Sequence, residues 1–517
     1  MSLLALGLLA ATSTGVRAID PVAFDLAVEP TTIAFIETRE AETVIRGRPW
    51  VPHPRLGTVR SGTRLAVRGQ VASRDEKGCH GKPWYAVQPL GFVCSHGVRP
   101  TQTEPSTDLA PVVPSGRTLP YRYARVRSDA VPVYPSADAI RDGLPAGLLA
   151  KGMSLAIDDS RTVEGRTYLV TTSGRWVSRE DVGWLGEGST WQGVRLRGQH
   201  VGPSFAWTRP TKTSVYAAPS SRSKVLRKLP RRSRVPLLAH NGAAGRSAMW
   251  RIDDTGWVAA TALNEVVVRE PPEGLISADD PNRQWIDVDV GEQVLVAYRG
   301  RSPVFATMIS SGRAHPTPLG NYPIWAKVTD MKMGNQAYED KAYLVEGVPW
   351  VLLFQGHNAL HGAYWHDSFG TRKSHGCVNL SPKDARWVFN WTLPILLEGW
   401  TGFLPGLERS ITVHVHDSHE SGDRAFSQQR PIGPPDREEE AIKLEEAEAR
   451  RAEAALPTLD NPPSLDEVLS GIRRAPGPVD ATRPLPSPQS PPRSWRRTGT
   501  FQRRTTRLEP GTTSRPE

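Results

Sequence analysis

Residues His357–Pro382 read HNALHGAYWHDSFGTRKSHGCVNLSP, with four histidines, one cysteine and three glycines. The run VPWVLLFQG (Val348–Gly356) precedes it and has the continuous apolar character of a buried strand. SPKDARWVFNW follows, with Ser381 as N-cap, Pro382 at the first helical position and Asp384 in the first turn. Cys377 therefore sits between a strand-rich stretch and a helix start. A thiol there is expected to feel the helix terminus and the imidazoles nearby. Such surroundings bring a cysteine from about 8.5 into the range of roughly 3.5–7.5. Gly376 lets backbone approach a substrate closely, and the amides around Cys377 can face a developing oxyanion. His357, His361 and His366 raise zinc as an alternative, with Cys377 as a further ligand. Gly356 and Gly362 argue against the continuous helix such spacing needs, and no HExxH is present, so no metal and no cofactor is expected. The plainer readings are a buried structural thiol at Cys377 and a hydrogen-bonded core histidine at His361.

Outward from this segment the texture stays β-like. WIDVDVGEQVLVAYRG (Trp285–Gly300) reads as two strands around a Gly-Glu turn, and SPVFATMISSG (Ser302–Gly312) as a third. HPTPLGNYPIWAKV (His315–Val328) leads from a loop into a strand, AYLV is another, and ITVHVHD (Ile411–Asp417) closes the domain. His414, His416 and His419 along that end are read as solvent-facing, and His357 and His366 as loop or cleft residues. The expected domain is 283–418.

At Ser374-His375-Gly376-Cys377-Val378-Asn379 and at His361-Gly362 the sequence resembles the L,D-transpeptidase family, whose YkuD-type catalytic domain carries a histidine-glycine pair and then S/T-H-G-C-x-N or -R. Thr317-Pro318-Leu319-Gly320 is similar to the family's threonine-proline-x-glycine element, and the sixteen positions from His361 to Cys377 suit the family. The resemblance covers about Gln284 to Asp417. It implies that Cys377 attacks a carbonyl of a peptidoglycan stem peptide, before a terminal D-amino acid, with His361 as base and then acid. It further implies that the backbone near Gly362 orients His361, and that the amides of His375, Gly376 and Cys377 form an oxyanion hole. His375 would also shape the cleft, with Ser374 and Asn379 bracing the loop and Trp365 forming the cleft wall. The thioester would pass to an amine of a second stem peptide, or to water in a carboxypeptidase.

The preceding half of the chain is repetitive. Trp50, Tyr134 and Tyr216 are each followed thirty-four residues later by Trp84, Tyr168 and Trp250. Each of these opens an alternating stretch (WYAVQPLGFVCS, YLVTTSGRWVS, WRIDDTGWVAA) that reaches Phe92-Val93, Trp176-Val177 or Trp257-Val258 after a Gly-bearing turn. Period-two alternation around such a turn predicts a hairpin. The pattern resembles bacterial SH3-like modules, which implies three small β-barrels at 30–98, 120–184 and 203–270. In that family such modules often bind cell-wall peptides or polymers, although the repeated aromatics serve equally as core. Linkers are expected near Ser95–Arg117 and Trp184–Gly202. The fold class is thus mainly β: a β-rich catalytic domain with a short helix after the cysteine motif, behind three small barrels.

The chain has 517 residues, 46 Pro, 45 Gly and three Cys, and a formal charge of +10. That length calls for several units. The positive charge is concentrated at the end: Ala481–Glu517 holds eight Arg, no Lys and two Glu. Residues 420–517, first charged and then Pro/Arg-rich, are expected to be a disordered tail. Nothing upstream of the tail supports a nucleic-acid partner, and none is expected. Cys79 and Cys94, fifteen residues apart, suggest a disulfide, with Cys377 as the free thiol. Residues 1–18 hold a run of roughly nine apolar residues, the length of a signal-peptide core and too short to span a bilayer. Export to the periplasm or cell envelope is expected, with no transmembrane helix in the mature chain. The reading from another class is a wall-binding protein whose barrels work beside an inactive catalytic relic.

Overall fold

The computed structural model describes residues 28–50, 55–73, 78–196, 204–313, 317–334, 343–405 and 410–419. The signal-peptide expectation and the tail expectation lie outside the described residues. What is described is rich in short strands, with one helix of more than two turns, so the mainly-β expectation holds.

The three repeated units share one connectivity. Each predicted hairpin is present and antiparallel, with registers Tyr85↔Val93, Leu169↔Val177 and Trp250↔Val258. In each unit the first strand (Phe35–Thr38, Arg122–Val126, Phe205–Thr208) pairs with both a middle strand and the last one. A 3₁₀ turn precedes that last strand every time, at Ser95–Gly97, Arg179–Asp181 and Ala260–Ala262. The repeat in the sequence is therefore a repeat of topology. Trp84 and Tyr168 fill their unit interiors, while Trp250 is half-buried and donates its indole N–H to Glu265 at 2.6 Å. Cys79 and Cys94 form a disulfide in the first unit, packed with Trp84, Ala86 and Phe92.

The last part of the chain folds as two sheets around one core. We label its strands β1 (Gln284–Asp289), β2 (Val294–Arg299), β3 (Ser302–Met308), β4 (Gly320–Pro323), β5 (Ala326–Gly334), β6 (Leu344–Gln355), β7 (Asn358–Gly362), β8 (Val378–Leu380), β9 (Trp400–Phe403) and β10 (Thr412–His416). The helix α1 spans Pro382–Trp391 and starts where the sequence places it, with Ser381 Oγ accepting from the Asp384 amide at 3.2 Å. One sheet runs β3-β2-β1-β10-β4, extended beyond β3 by Val194–Arg195. In the other, β5, β6, β7 and β8 are successive neighbours, and β9 lies on the far side of β5. Alternation along β1 turns Ile286 and Val288 into the shared core, where they join Leu295, Leu353, Val378 and Val388.

The units are not loosely tethered. The Arg55–Arg60 strand of the first unit pairs with β9, and Ser154 of the second pairs with Val345 on β6. Tyr123 stacks on Tyr364 at 3.7 Å and donates its hydroxyl to the Gly347 carbonyl at 2.7 Å. The expected linkers are ordered where described: Ala110 is 1% exposed, and Asp384 accepts from the Gly193 amide at 2.9 Å and the Thr307 hydroxyl at 2.6 Å.

Lys327 is buried without a carboxylate partner among the described residues. Its ammonium donates to the carbonyls of Phe389 (2.6 Å), Thr392 (2.6 Å) and Pro394 (2.8 Å), which close the C-terminal end of α1, and burial holds its pKa well below the usual lysine value. Lys327→Met strips the donor from three carbonyls at once. It is expected to destabilise the fold by about 1–3 kcal/mol, read as a lower urea midpoint at unchanged slope. Replacing Cys79 and Cys94 together by Ala removes a fifteen-residue loop closure. The expected cost is about 3 kcal/mol, seen in calorimetry as a lower melting temperature that reductant no longer changes.

Candidate functional site

The site is built on the parallel pair β7–β8, whose register sets His361 opposite Asn379. Side chains alternate along a strand, so Cys377, two residues before Asn379, lies on the same side as His361 and next to Ala359. The sulfur sits beside the start of β7: the Ala359 amide donates to it, and the Cys377 thiol itself points to the His357 carbonyl at 3.8 Å. Cys377 keeps part of its surface open to solvent, whereas His361 is 2% exposed.

Protonation follows from the partners. His361 Nδ1 lies 3.4 Å from the Gly362 carbonyl, an acceptor only, so the proton resides on Nδ1 and the Nε2 lone pair is left for a substrate or thiol proton. Burial pushes the His361 pKa down to about 4, and the ring is neutral at ordinary pH. Trp365 stacks on it at 5.7 Å and completes one wall. The thiol departs from the sequence expectation. Burial pushes Cys377 up to about 11, against a smaller opposing pull from the Ala359 amide. The start of α1 lies five residues further on, beyond the reach of a first-turn dipole.

The loop before β8 is heavily braced. Ser374 Oγ donates to the Cys377 carbonyl at 2.5 Å and accepts from the Gly376 amide at 3.1 Å. Thr317 Oγ1 donates to the Gly376 carbonyl at 2.7 Å and accepts from the Gly312 amide at 2.9 Å. Gly376 has φ of 138°, where a side chain would be strained. Its amide is bonded to Ser374, and of the three amides expected to form the oxyanion hole those of His375 and Cys377 have no hydrogen-bond partner among the described residues. The His375 ring is exposed and tilts against Tyr343 at 5.0 Å.

Asn379 is tied in twice. Its backbone exchanges hydrogen bonds with Ser310 at 2.9 Å each way, and its side-chain amide lies 2.9 Å from His366 Nε2. His366 Nδ1 accepts from the Ser368 amide at 3.1 Å, so Nε2 must carry the proton of the neutral ring. Its partner is then the Asn379 amide oxygen, which satisfies an otherwise orphaned buried atom. His366 is therefore a loop-fixing residue, half-buried with its pKa lowered to about 4 by desolvation. Sequence reasoning noticed His366 and Thr317 without assigning either this work, because their partners are distant in the chain.

The segment between β7 and β8 is also held from outside. Arg232 forks onto the Asp367 carboxylate at 2.6 and 3.2 Å, and Arg231 donates to the Phe369 carbonyl at 3.0 Å. Asn264 donates to the Gly370 carbonyl at 3.1 Å, and Arg125 to the Trp365 carbonyl at 3.4 Å. The second and third repeated units thus grip the wall of the cleft.

A neutral base, a thiol on the same strand face and two unpartnered amides beside it form a constellation for acyl transfer. Residues 283–414 match the family model of YkuD, the L,D-transpeptidase catalytic domain. This stretch is a YkuD-type domain. It is 25% identical over 148 residues to YciB of Bacillus subtilis (strain 168), a candidate L,D-transpeptidase by name; the match covers 26% of this chain and 73% of the relative. An L,D-transpeptidase from Mycobacterium smegmatis is 21% identical, over 26% of this chain and 58% of that one, with a TM-score of 0.21. The catalytic domain of an Enterococcus faecium L,D-transpeptidase is 22% identical, over 26% of this chain and 98% of that one, also at 0.21.

In the YkuD-type domain the thiol and imidazole rest uncharged. Alkylation of Cys377 by iodoacetamide is therefore expected to rise about tenfold per pH unit from pH 7 to at least pH 9. A plateau below pH 8, followed by mass spectrometry of the labelled peptide, would show a preformed thiolate instead.

Proposed function

We propose that the protein is an L,D-transpeptidase that transfers a peptidoglycan stem peptide through a thioester on Cys377. The observation that carries this reading is the placement of Cys377 and neutral His361 on one face of the β7–β8 pair, inside a YkuD-type domain. The thiol gives its proton to His361 Nε2 as sulfur attacks the carbonyl before the terminal D-amino acid. The developing oxyanion takes the amides of His375 and Cys377, with Gly376 supplying the backbone shape and Ser374 holding it. His361 returns the proton to the departing amine, and an amine of a second stem peptide then displaces the sulfur to leave a cross-link. Because both groups begin neutral, the proton passes to His361 as the sulfur attacks, and no thiolate is formed beforehand.

The first three units are proposed to be SH3-like modules, on the strength of their shared connectivity and closing hairpins, and to contact wall polymer. Docking against the catalytic domain gives two of them a further role, positioning the cleft wall. Export to the periplasm or cell envelope follows from the substrate. Water as acceptor would make the enzyme an L,D-carboxypeptidase, and an inert domain would leave a wall-binding protein.

The deciding experiment is mass analysis of wall fragments incubated with full-length protein and with Cys377→Ala. New cross-linked dimers are expected only with native protein, and His361→Gln is expected to slow their formation 10²–10⁴-fold. Shortened stems without dimers would mean a carboxypeptidase. No Cys377-dependent product would leave the wall-binding reading.

A further inference from the structure

β10 carries two histidines on the face of its sheet turned away from the core that holds Ile286 and Val288. In the parallel pairing of β1 with β10, Asp287 stands opposite His414, and Asp289 opposite His416. The expectation that His414 and His416 face solvent is thereby corrected: His416 is 7% exposed, and the His414 side chain is largely covered. His419 does remain half-exposed, bonded to Glu292. Two buried imidazoles directed at a carboxylate need a physical reason, because an apolar pair would serve β1 and β10 as well.

The ring orientations supply one. His414 Nδ1 lies 2.7 Å from Asn321 Oδ1 on β4, an oxygen that can only accept, so Nδ1 holds the proton. The Nε2 lone pair then faces Asp287 Oδ1 at 3.9 Å. His416 turns Nδ1 towards Asp289 Oδ2 at 3.8 Å and sets Nε2 3.2 Å from Asp287 Oδ2. Asp289 is itself fixed, since its other oxygen accepts from the amides of Gly291 (2.9 Å), Glu292 (3.1 Å) and Ser418 (3.2 Å) and from the Ser418 hydroxyl (3.0 Å). Both rings turn Nε2 towards the Asp287 carboxylate, and the oxygen behind His414 Nδ1 is the outer-shell partner that metal-binding histidines carry.

A second observation points the same way. Asp287 is 3% exposed, yet its Oδ1 has no hydrogen-bond partner. A simple His416–Asp287 hydrogen bond would leave that oxygen bare. One ligand atom from each of the three residues lies within 4.8 Å of the others. The two imidazoles approach the carboxylate at different oxygens, His416 Nε2 3.2 Å from Oδ2 and His414 Nε2 3.9 Å from Oδ1, and ligand atoms around a tetrahedral zinc stand about 3.4 Å apart.

We propose that Asp287, His414 and His416 form a zinc-type divalent metal site joining the first strand of the catalytic domain to the last. Two imidazoles and a carboxylate suit zinc, cobalt or nickel over calcium or magnesium, which prefer all-oxygen shells. The ion would neutralise Asp287 and clamp β1 to β10. It sits on the β1–β10 pair, in the other sheet from the β7–β8 pair beside Cys377, and takes no step in acyl transfer, so it stands or falls independently of the proposed reaction.

The test uses the full chain carrying Cys377→Ala, which removes the free thiol as a competing ligand. Titration with Co²⁺ is expected to give visible d–d bands that saturate at one equivalent and vanish on adding Zn²⁺. Asp287→Asn and His416→Gln should each weaken binding at least tenfold, measured by equilibrium dialysis with Zn²⁺. Changing the exposed ring pair His80 and His96, 4.3 Å apart, to Gln should leave it unchanged. Near-UV circular dichroism reports whether each variant keeps its fold, and His414→Gln replaces any that does not. Zn²⁺ should also raise the melting temperature of the parent and of no ligand variant. Absence of a one-equivalent site, or binding unchanged in the ligand variants, overturns the proposal.

Discussion

The parallel pairing of β7 with β8 is the constraint on which the site depends. β8 is three residues long and could not hold its register alone. It is secured because Asn379 bonds Ser310 on one side and the Ala363 amide donates to the Leu380 carbonyl at 2.9 Å on the other. The same register sets the thiol and imidazole on one face. A slip by a single residue would turn Cys377 into the core, since successive side chains point to opposite faces. The surrounding hydrogen bonds from Ser374, Thr317 and His366 therefore do more than tidy a loop: they fix the phase of a strand.

The sequence makes visible whatever is local. Ser381, Pro382 and Asp384 announce α1 because capping is settled within one turn. The three closing hairpins are readable because alternation and a turn residue suffice to define them. The cysteine motif is legible because its residues stand close together in the chain. What escapes is set by contacts between distant segments. The alternation of ITVHVHD gives no hint that His414 and His416 meet Asp287, which lies 127 and 129 residues earlier. The thiol's raised pKa likewise comes from packing around it, which outweighs a helix terminus that the chain places too far away.

Docking of the repeated units belongs to the same class of fact. Their internal folds are local, and their interfaces are not. Arg231 and Arg232 look like solvated charge on a turn until Asp367 is set against them. Arg125 and Asn264 look unremarkable until their partners prove to be carbonyls of the cleft wall. The cleft is consequently shaped by residues from three parts of the chain, only one of which carries the chemistry.

Gly57 meets β9 so closely that an added Cβ would lie 2.6 Å from the Trp400 ring and 2.7 Å from the Gly402 carbonyl. That contact seats the first unit's strand along β9, with Thr58 and Thr401 hydroxyls 2.7 Å apart across the seam. A fragment trimmed to the family boundaries would lose this cover and present a bare ladder of peptide groups to its neighbours. Self-association of such a fragment through β9 would then reflect the missing strand and not a native oligomer. The boundary of the chemistry and the boundary of the packed sheet are different places in this chain.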